Sequence, residues 1–146
     1  MHACAPFLLL ISAPSGAGKT TVSQGLMTAN PRIGRIITCA SRAPRPGEVH
    51  GVDYYFFSRS EFEARIAAGE FLEYANVYGD WKGILKESVQ AHWATGKDAL
   101  LSVDVQGAET VRQVVASDPA LVGRLVTVFI TPPSREELES RLRGRD

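Results

Sequence analysis

Phe7-Leu8-Leu9-Leu10-Ile11, running straight into Ser12-Ala13-Pro14-Ser15-Gly16-Ala17-Gly18-Lys19-Thr20, is the stretch that decides the fold. Five apolar residues followed by small ones predict a buried strand over about residues 7 to 12, a tight turn, and a helix starting near Lys19. That arrangement turns backbone N–H groups inward around a phosphate. Gly16 and Gly18 let the backbone approach phosphate oxygens, Lys19 supplies a mobile cation for the outer phosphates, and the Thr20 hydroxyl suits magnesium. Ala13, Pro14, Ser15, Gly16, Ala17, Gly18, Lys19, Thr20 and Thr21 are therefore the candidate set for a nucleoside triphosphate. The usual first glycine of such a loop is replaced by Ala13, which is acceptable only where φ stays negative. A small-residue turn without a ligand is the bland alternative, and Gly-Lys-Thr at this offset after a strand weighs against it.

The 146 residues are 45% hydrophobic and 22% charged, a composition that suits one soluble globular domain with a real core. Sixteen basic and sixteen acidic residues leave a formal charge of zero, so no overall field draws in nucleic acid or an anionic membrane, and any anion site must be local. Cys4 and Cys39 lie far apart with no Cys-x-x-Cys spacing, which argues for a reducing compartment and a cytoplasmic enzyme. His2, His50 and His92 show no metal-ligand spacing, so a zinc site is not expected. The apolar N-terminal run lacks a positively charged flank and reads as the first strand rather than a secretory signal.

Helix and strand signals then alternate. A helix is predicted through Thr21–Met27 and a strand near Arg35–Thr38. Pro44, Pro46 and Gly47 make a turn-rich loop, Tyr54-Tyr55-Phe56-Phe57 reads as a short strand, and Ser60 is expected to cap a helix through Phe62 and Ile66. Phe71–Tyr78 is another predicted strand. Further on come a helix around Lys86–Trp93, a buried strand Ala99–Asp104, a helix Ala108–Val115, a strand Leu125–Ile130, and a helix from Ser134 through Leu142. The fold class is α/β: a parallel core (about 1–37 and 94–146) carrying an inserted small α+β subdomain (about 38–93). Ligands of such sheets bind beyond the carboxyl ends of the strands, where Ser12, Thr38 and Asp104 lie.

A second anion site is suggested by Thr38-Cys39-Ala40-Ser41-Arg42-Ala43-Pro44-Arg45-Pro46-Gly47-Glu48, followed by Gly51-Val52-Asp53-Tyr54. It places two guanidiniums three residues apart in a stiff loop, and planar forks suit bidentate phosphate binding. A solvated basic loop paired with local carboxylates is the alternative. The phosphate loop, this arginine loop, Gly69-Glu70-Phe71-Leu72-Glu73, Val103-Asp104-Val105-Gln106-Gly107 and Arg141-Leu142-Arg143-Gly144-Arg145 occur in an order that closely resembles guanylate kinase, over nearly the whole chain.

The resemblance implies a phosphate-loop nucleoside monophosphate kinase fold and magnesium-dependent phosphoryl transfer from ATP to GMP. ATP would sit on the core and GMP on the inserted subdomain. It assigns Arg42, Arg45 and Tyr54 to the GMP phosphate and Thr38, Glu73 and Asp104 to the surroundings of the guanine. A carboxylate such as Glu73 can accept N1–H and the exocyclic amine of guanine together, and a hydroxyl such as Thr38 can donate to O6. An exposed strand carboxylate, core packing and a helix N-cap remain the alternatives for Glu73, Tyr54 and Asp104. Lys19, Arg42, Arg141 and Arg145 are the candidate catalytic cations, the last two on a mobile lid beginning at about 141; a basic helix end complementing its dipole is the alternative for that pair.

The pattern departs from the family at Lys82, where a tyrosine is usual, at Ile84, where a small hydroxyl residue is usual, and at Ser102, often an aspartate. Lys82 can still hold a phosphate; Ile84 cannot hydrogen-bond. The family pattern continues past Asp146, so the chain is expected to be a truncated product or a fragment. A related kinase acting on a phosphorylated sugar, or a non-catalytic guanylate-kinase-like binding module, are the competing readings.

Overall fold

Every residue of Leu8–Ser12 is buried, and this segment forms strand β1 of the computed structural model, which describes residues 4–144. The chain continues through α1 (Lys19–Ala29), β2 (Ile33–Arg35), β3 (Thr38–Ala40), β4 (Tyr54–Phe56), α2 (Arg59–Ala67), β5 (Phe71–Val77), β6 (Asp80–Leu85), α3 (Lys86–Ala94), β7 (Asp98–Val103), α4 (Val105–Ser117), β8 (Leu125–Phe129) and α5 (Arg135–Arg143). Two compact units result. One is built from the segments up to Arg35 and from Gly96 onward, the other from Ile36–Thr95. Among the described residues no helix is long and apolar enough to cross a membrane.

The first unit holds a parallel sheet in the order β2-β7-β1-β8, with β1 hydrogen-bonded on both sides. Leu9, Ile11 and Leu100 form its buried centre, with Phe7, Leu26, Met27, Ile33 and Ile130 packed against them. Helix α4 buries Ala108, Val111 and Val115, the three-to-four-residue stripe expected of a helix lying on a sheet. At the opposite end from the phosphate loop, the buried Asp98 carboxylate accepts Arg32 Nε at 2.9 Å and the Phe7 amide at 3.1 Å, while Arg32 Nη2 donates to the Cys4 carbonyl at 2.7 Å. Both carboxylate oxygens are thus satisfied, the condition under which a buried charge is tolerated.

The second unit holds a mixed sheet in the order β4-β3-β6-β5. One of its faces packs Cys39, Phe62, Phe71 and Leu85 with Tyr55, Phe57, Ile66 and Trp81, and the Phe62 and Phe71 rings stack 4.4 Å apart. Burial pushes the Cys39 thiol up to about 12, so it stays protonated. Strands β5 and β6 are joined by Tyr78 and Gly79, both at positive φ (53° and 91°), the backbone a two-residue hairpin needs. The Asn76 side chain accepts the Gly79 amide and secures the turn.

The register of that hairpin slips at Leu72: Phe71 stands opposite Leu85, and Glu73 opposite Ile84. Two residues two apart on a regular strand share a face. The bulge separates them, so Phe71 enters the core while Glu73 turns to the other side of the sheet.

Three sequence expectations need correction. The single strand near Arg35–Thr38 is two strands in two different sheets, β2 ending at Arg35 and β3 starting at Thr38; Ile36 and Ile37 between them belong to neither, Ile36 being buried, and read as strand by composition alone. The cap of α2 is Ser58, not Ser60: the Glu61 amide donates to Ser58 Oγ and the Ser58 amide to Glu61 Oε2, a reciprocal box that only the Ser58 spacing permits. Strand β5 ends at Val77 and a further strand, β6, follows; the positive φ at Tyr78 marks the break that alternation could not show.

Gly83 lies so close to the bulge that an added Cβ would stand 2.8 Å from the Phe71 ring and 2.9 Å from the Glu73 carbonyl oxygen. Gly83→Ala is expected to destabilise the protein by about 1–3 kcal/mol, the usual cost of overpacking, as read from urea unfolding. A stability equal to that of the wild type would show that the bulge accommodates the extra methyl.

Candidate functional site

In the first unit, pairing on both sides of β1 directs the following loop out at the carboxyl edge of the sheet. Gly16 (φ 86°) and Gly18 (φ 96°) take left-handed conformations, and Ala13 does not, as alanine requires there. The Ala17 amide donates to the Pro14 carbonyl at 3.2 Å, closing the turn, and the Ile130 amide donates to the Ser12 carbonyl at 2.9 Å, holding its base. Helix α1 then starts with Gly18 as its N-cap, with no side-chain cap and no acid in its first turn. By contrast, α2, α4 and α5 are capped by Ser58, Asp104 and Ser134. The uncapped amides and the positive end of the α1 dipole therefore remain available to an anion.

Eight of the nine loop candidates, Ala13, Pro14, Ser15, Gly16, Gly18, Lys19, Thr20 and Thr21, line one cavity of about 350 Å³ together with Asp104. Ala17, the ninth, is buried in the turn. Asp104 caps α4 through its Oδ1, which accepts the Gly107 amide at 2.6 Å, so the capping alternative holds while the residue also lines the cavity. Beside the loop, α5 brings Leu138 and Leu142 against Gly16, where a Cβ would meet Leu142 at 3.0 Å. Arg141 on the same helix pairs with Glu137, one turn back. Arg145 lies outside the described residues.

In the second unit the register assembles the remaining candidates. Thr38 pairs with Tyr54, Ala40 with Phe56 and with Lys82, Ala75 with Lys82, and Glu73 with Ile84. Cross-strand partners point to the same side, so Thr38, Tyr54, Lys82 and Glu73 share the sheet face opposite the aromatic core. Ile84, buried at 4% exposure, lies among them as an apolar floor.

Arg42 lies over this face, its guanidinium carbon 5.5 Å from the ring centres of both Tyr54 and Phe56. Its Nη1 and Nη2 donate to the two oxygens of Glu48 at 2.7 and 2.8 Å, and the Glu48 carboxylate also accepts the Arg45 amide at 2.8 Å. Side-chain exposures of 16% and 21% shield this pair from solvent. The Arg42 guanidinium, and after it the Arg45 amide, brings the Glu48 carboxyl down to about 2. The local-carboxylate alternative is thus realised for Arg42, whereas the Arg45 side chain is exposed.

Glu48 belongs to the arginine loop but carries no role on sequence grounds alone. The signal was an acid three residues after Arg45, across the Pro46-Gly47 turn.

A carboxylate whose folded pKa lies below its unfolded value stabilises the fold above about pH 4.5, and that contribution is lost as pH falls towards 2. The stability difference between wild type and Glu48→Gln in urea titrations is therefore expected to be constant above pH 4.5 and to shrink below it. A difference that does not change between pH 5 and 3 would contradict the pairing.

The family model described as Guanylate kinase matches residues 6–146. The guanylate kinase of Xanthomonas oryzae pv. oryzae is 48% identical over 138 residues, covering 94% of this chain and 64% of that protein. That of Paramagnetospirillum magneticum is 44% identical, covering 94% and 62%. In structure, the chain is similar to the guanylate kinase of Anaplasma phagocytophilum, with a TM-score of 0.63 and 32% identity over 96% of this chain and 68% of that one. The chain thus spans about 64% of the length of the curated relatives it matches.

Proposed function

The chain belongs to the guanylate kinase family, and from that membership we propose that it transfers the γ-phosphoryl group of ATP to GMP, giving ADP and GDP. The observation that carries the acceptor assignment is the bulge at Leu72, which turns Glu73 onto the face bearing Thr38, Tyr54, Lys82 and the stacked Arg42. One carboxylate for the N1–H and amine edge of guanine, one hydroxyl for O6, and a group of cations for a phosphate are what GMP requires. A sugar phosphate has no use for Glu73, and a protein-binding module has none for a phosphate loop that retains Lys19 and Thr20.

In this reading an oxygen of the GMP phosphate attacks the γ-phosphorus, and the bond to the β,γ-bridging oxygen breaks with its electrons passing to ADP. Positioning and neutralisation of charge supply the rate, without a covalent intermediate on the protein. The loop amides and Lys19 hold the triphosphate; Arg42, Arg45, Tyr54 and Lys82 hold the acceptor phosphate. Arg141 and Arg145 are the further cations assigned to the transferring phosphoryl group. Asp104, assigned to the guanine by family resemblance, shares its cavity with Thr20, which supports a duty at the magnesium end as well.

Magnesium, when bound, neutralises the triphosphate and the charge developing on its oxygens. The Thr20 hydroxyl and the Asp104 carboxylate fit it, because this small hard cation takes few protein oxygens and fills its shell with phosphate and water. A cytoplasmic setting suits the two free thiols, Cys4 and Cys39.

Coupled release of ADP with ATP and magnesium tests the proposal, comparing GMP, AMP and no acceptor. GMP-dependent turnover is expected, with Lys19→Ala lowering kcat by about 10² to 10³-fold, the usual loss of one preorganised charge donor. Equal turnover with AMP would sink the guanine assignment, and absence of ATP binding would favour an interaction module.

A further inference from the structure

We propose that Glu48 is a positioning residue that aims Arg42 at the acceptor's phosphate, a role that rests on the reading of this face as a phosphate-ester site. A guanidinium has five N–H donors, arranged as an end-on fork, a side-on fork and one remaining hydrogen. In Arg42 the end-on fork, one hydrogen from each Nη, is filled by the two Glu48 oxygens. The second Nη1 hydrogen goes to the Ala43 carbonyl at 3.0 Å.

What remains is Nε–H and the adjacent Nη2 hydrogen. These two donate to no partner among the described residues, and together they form the side-on fork that binds a phosphate in bidentate fashion. The planar group is fixed in its other directions by the Tyr54 and Phe56 rings, each centred 5.5 Å away. Three committed hydrogens and two aromatic rings leave this arginine one way to point.

Glu48 also ties the second arginine to the first. Its Oε2 accepts both Arg42 Nη1 and the Arg45 amide, and its own amide donates to the Arg45 carbonyl at 3.0 Å, so the Arg45–Glu48 turn is closed by the same residue that grips Arg42. Two opposed effects follow from removing its charge. The site becomes more positive, which favours an anion, and Arg42 loses its orientation, which disfavours one. Shielding of the pair makes the orientation term the larger, because a side chain fixed in advance need not be ordered by the ligand.

Calorimetric titration of the full chain with GMP and with guanosine, and nitrogen-15 spectra of the Arg42 Nε–H group, test this. Glu48→Gln is expected to weaken GMP binding about tenfold, the size of one charge-assisted hydrogen bond, while guanosine and ATP affinities stay as in the wild type. Glu48→Asp, which keeps the charge on a shorter arm, is expected to lose less and guards against a folding defect. Unchanged GMP affinity in Glu48→Gln would overturn the proposal, and so would tightened affinity, which would make Glu48 a competitor of the phosphate. If the wild type binds no GMP, the acceptor reading itself fails, and the Nε–H signal with inorganic phosphate decides the inference alone. A response present in the wild type and lost in Glu48→Gln sustains it; equal responses, or none in either, overturn it.

Discussion

The two-sided parallel pairing of β1 is the constraint from which the phosphate loop follows. A strand paired with β7 on one side and β8 on the other has no backbone group left to turn with, so the chain reverses only after Ser12. Its buried aliphatic side chains hold it there, since exposing one of them costs roughly 1.5–3 kcal/mol. The loop emerges where the strand ends, and its amides gather because α1 begins at once at Lys19. The site is thus a by-product of where a hydrophobic strand must stop.

The inserted unit reaches its own site by a different device. Its sheet has an aromatic core on one face, and a regular β5 would keep Phe71 and Glu73 on the same side. One extra residue, Leu72, lets the first belong to the core and the second to the opposite face, and Gly83 leaves the space in which this happens. The outcome is a face where hydrogen-bonding, cationic and apolar side chains from four strands lie side by side, with Arg42 and Glu48 locked over one edge. Each unit therefore carries chemistry specified by its own packing.

Much of this was legible in the sequence, and for physical reasons. The run Phe7–Ile11 is too apolar to be anything but buried, and Gly16, Gly18, Lys19 and Thr20 at fixed offsets have few other uses, so the phosphate loop could be read residue by residue. The α/β order was equally readable, because helix caps such as Ser134 and the buried strand around Leu100 and Leu101 leave strong local patterns. The Leu72 bulge was not, since two apolar residues before a glutamate are compatible with either register and only pairing with β6 decides. The Arg42–Glu48 lock escaped for a similar reason: five residues of loop lie between the partners, and their meeting depends on the Pro46-Gly47 turn. Ile36 and Ile37 read as strand because a short apolar connector with a buried residue carries the same local pattern as a strand.

Gly16 and Gly18 look interchangeable in the sequence, and both adopt positive φ, yet they do not have the same freedom to drift. Around Gly18 a Cβ would meet no protein atom within 4 Å, but the residue lines the loop's cavity, so its backbone conformation and the approach of a phosphate both favour glycine. At Gly16 a Cβ would meet Leu142 as well, on a helix more than a hundred residues away in the chain. The two positions therefore answer to different neighbours: Gly18 to its own turn and the cavity it lines, whereas a side chain at Gly16 also presses on Leu142 of α5.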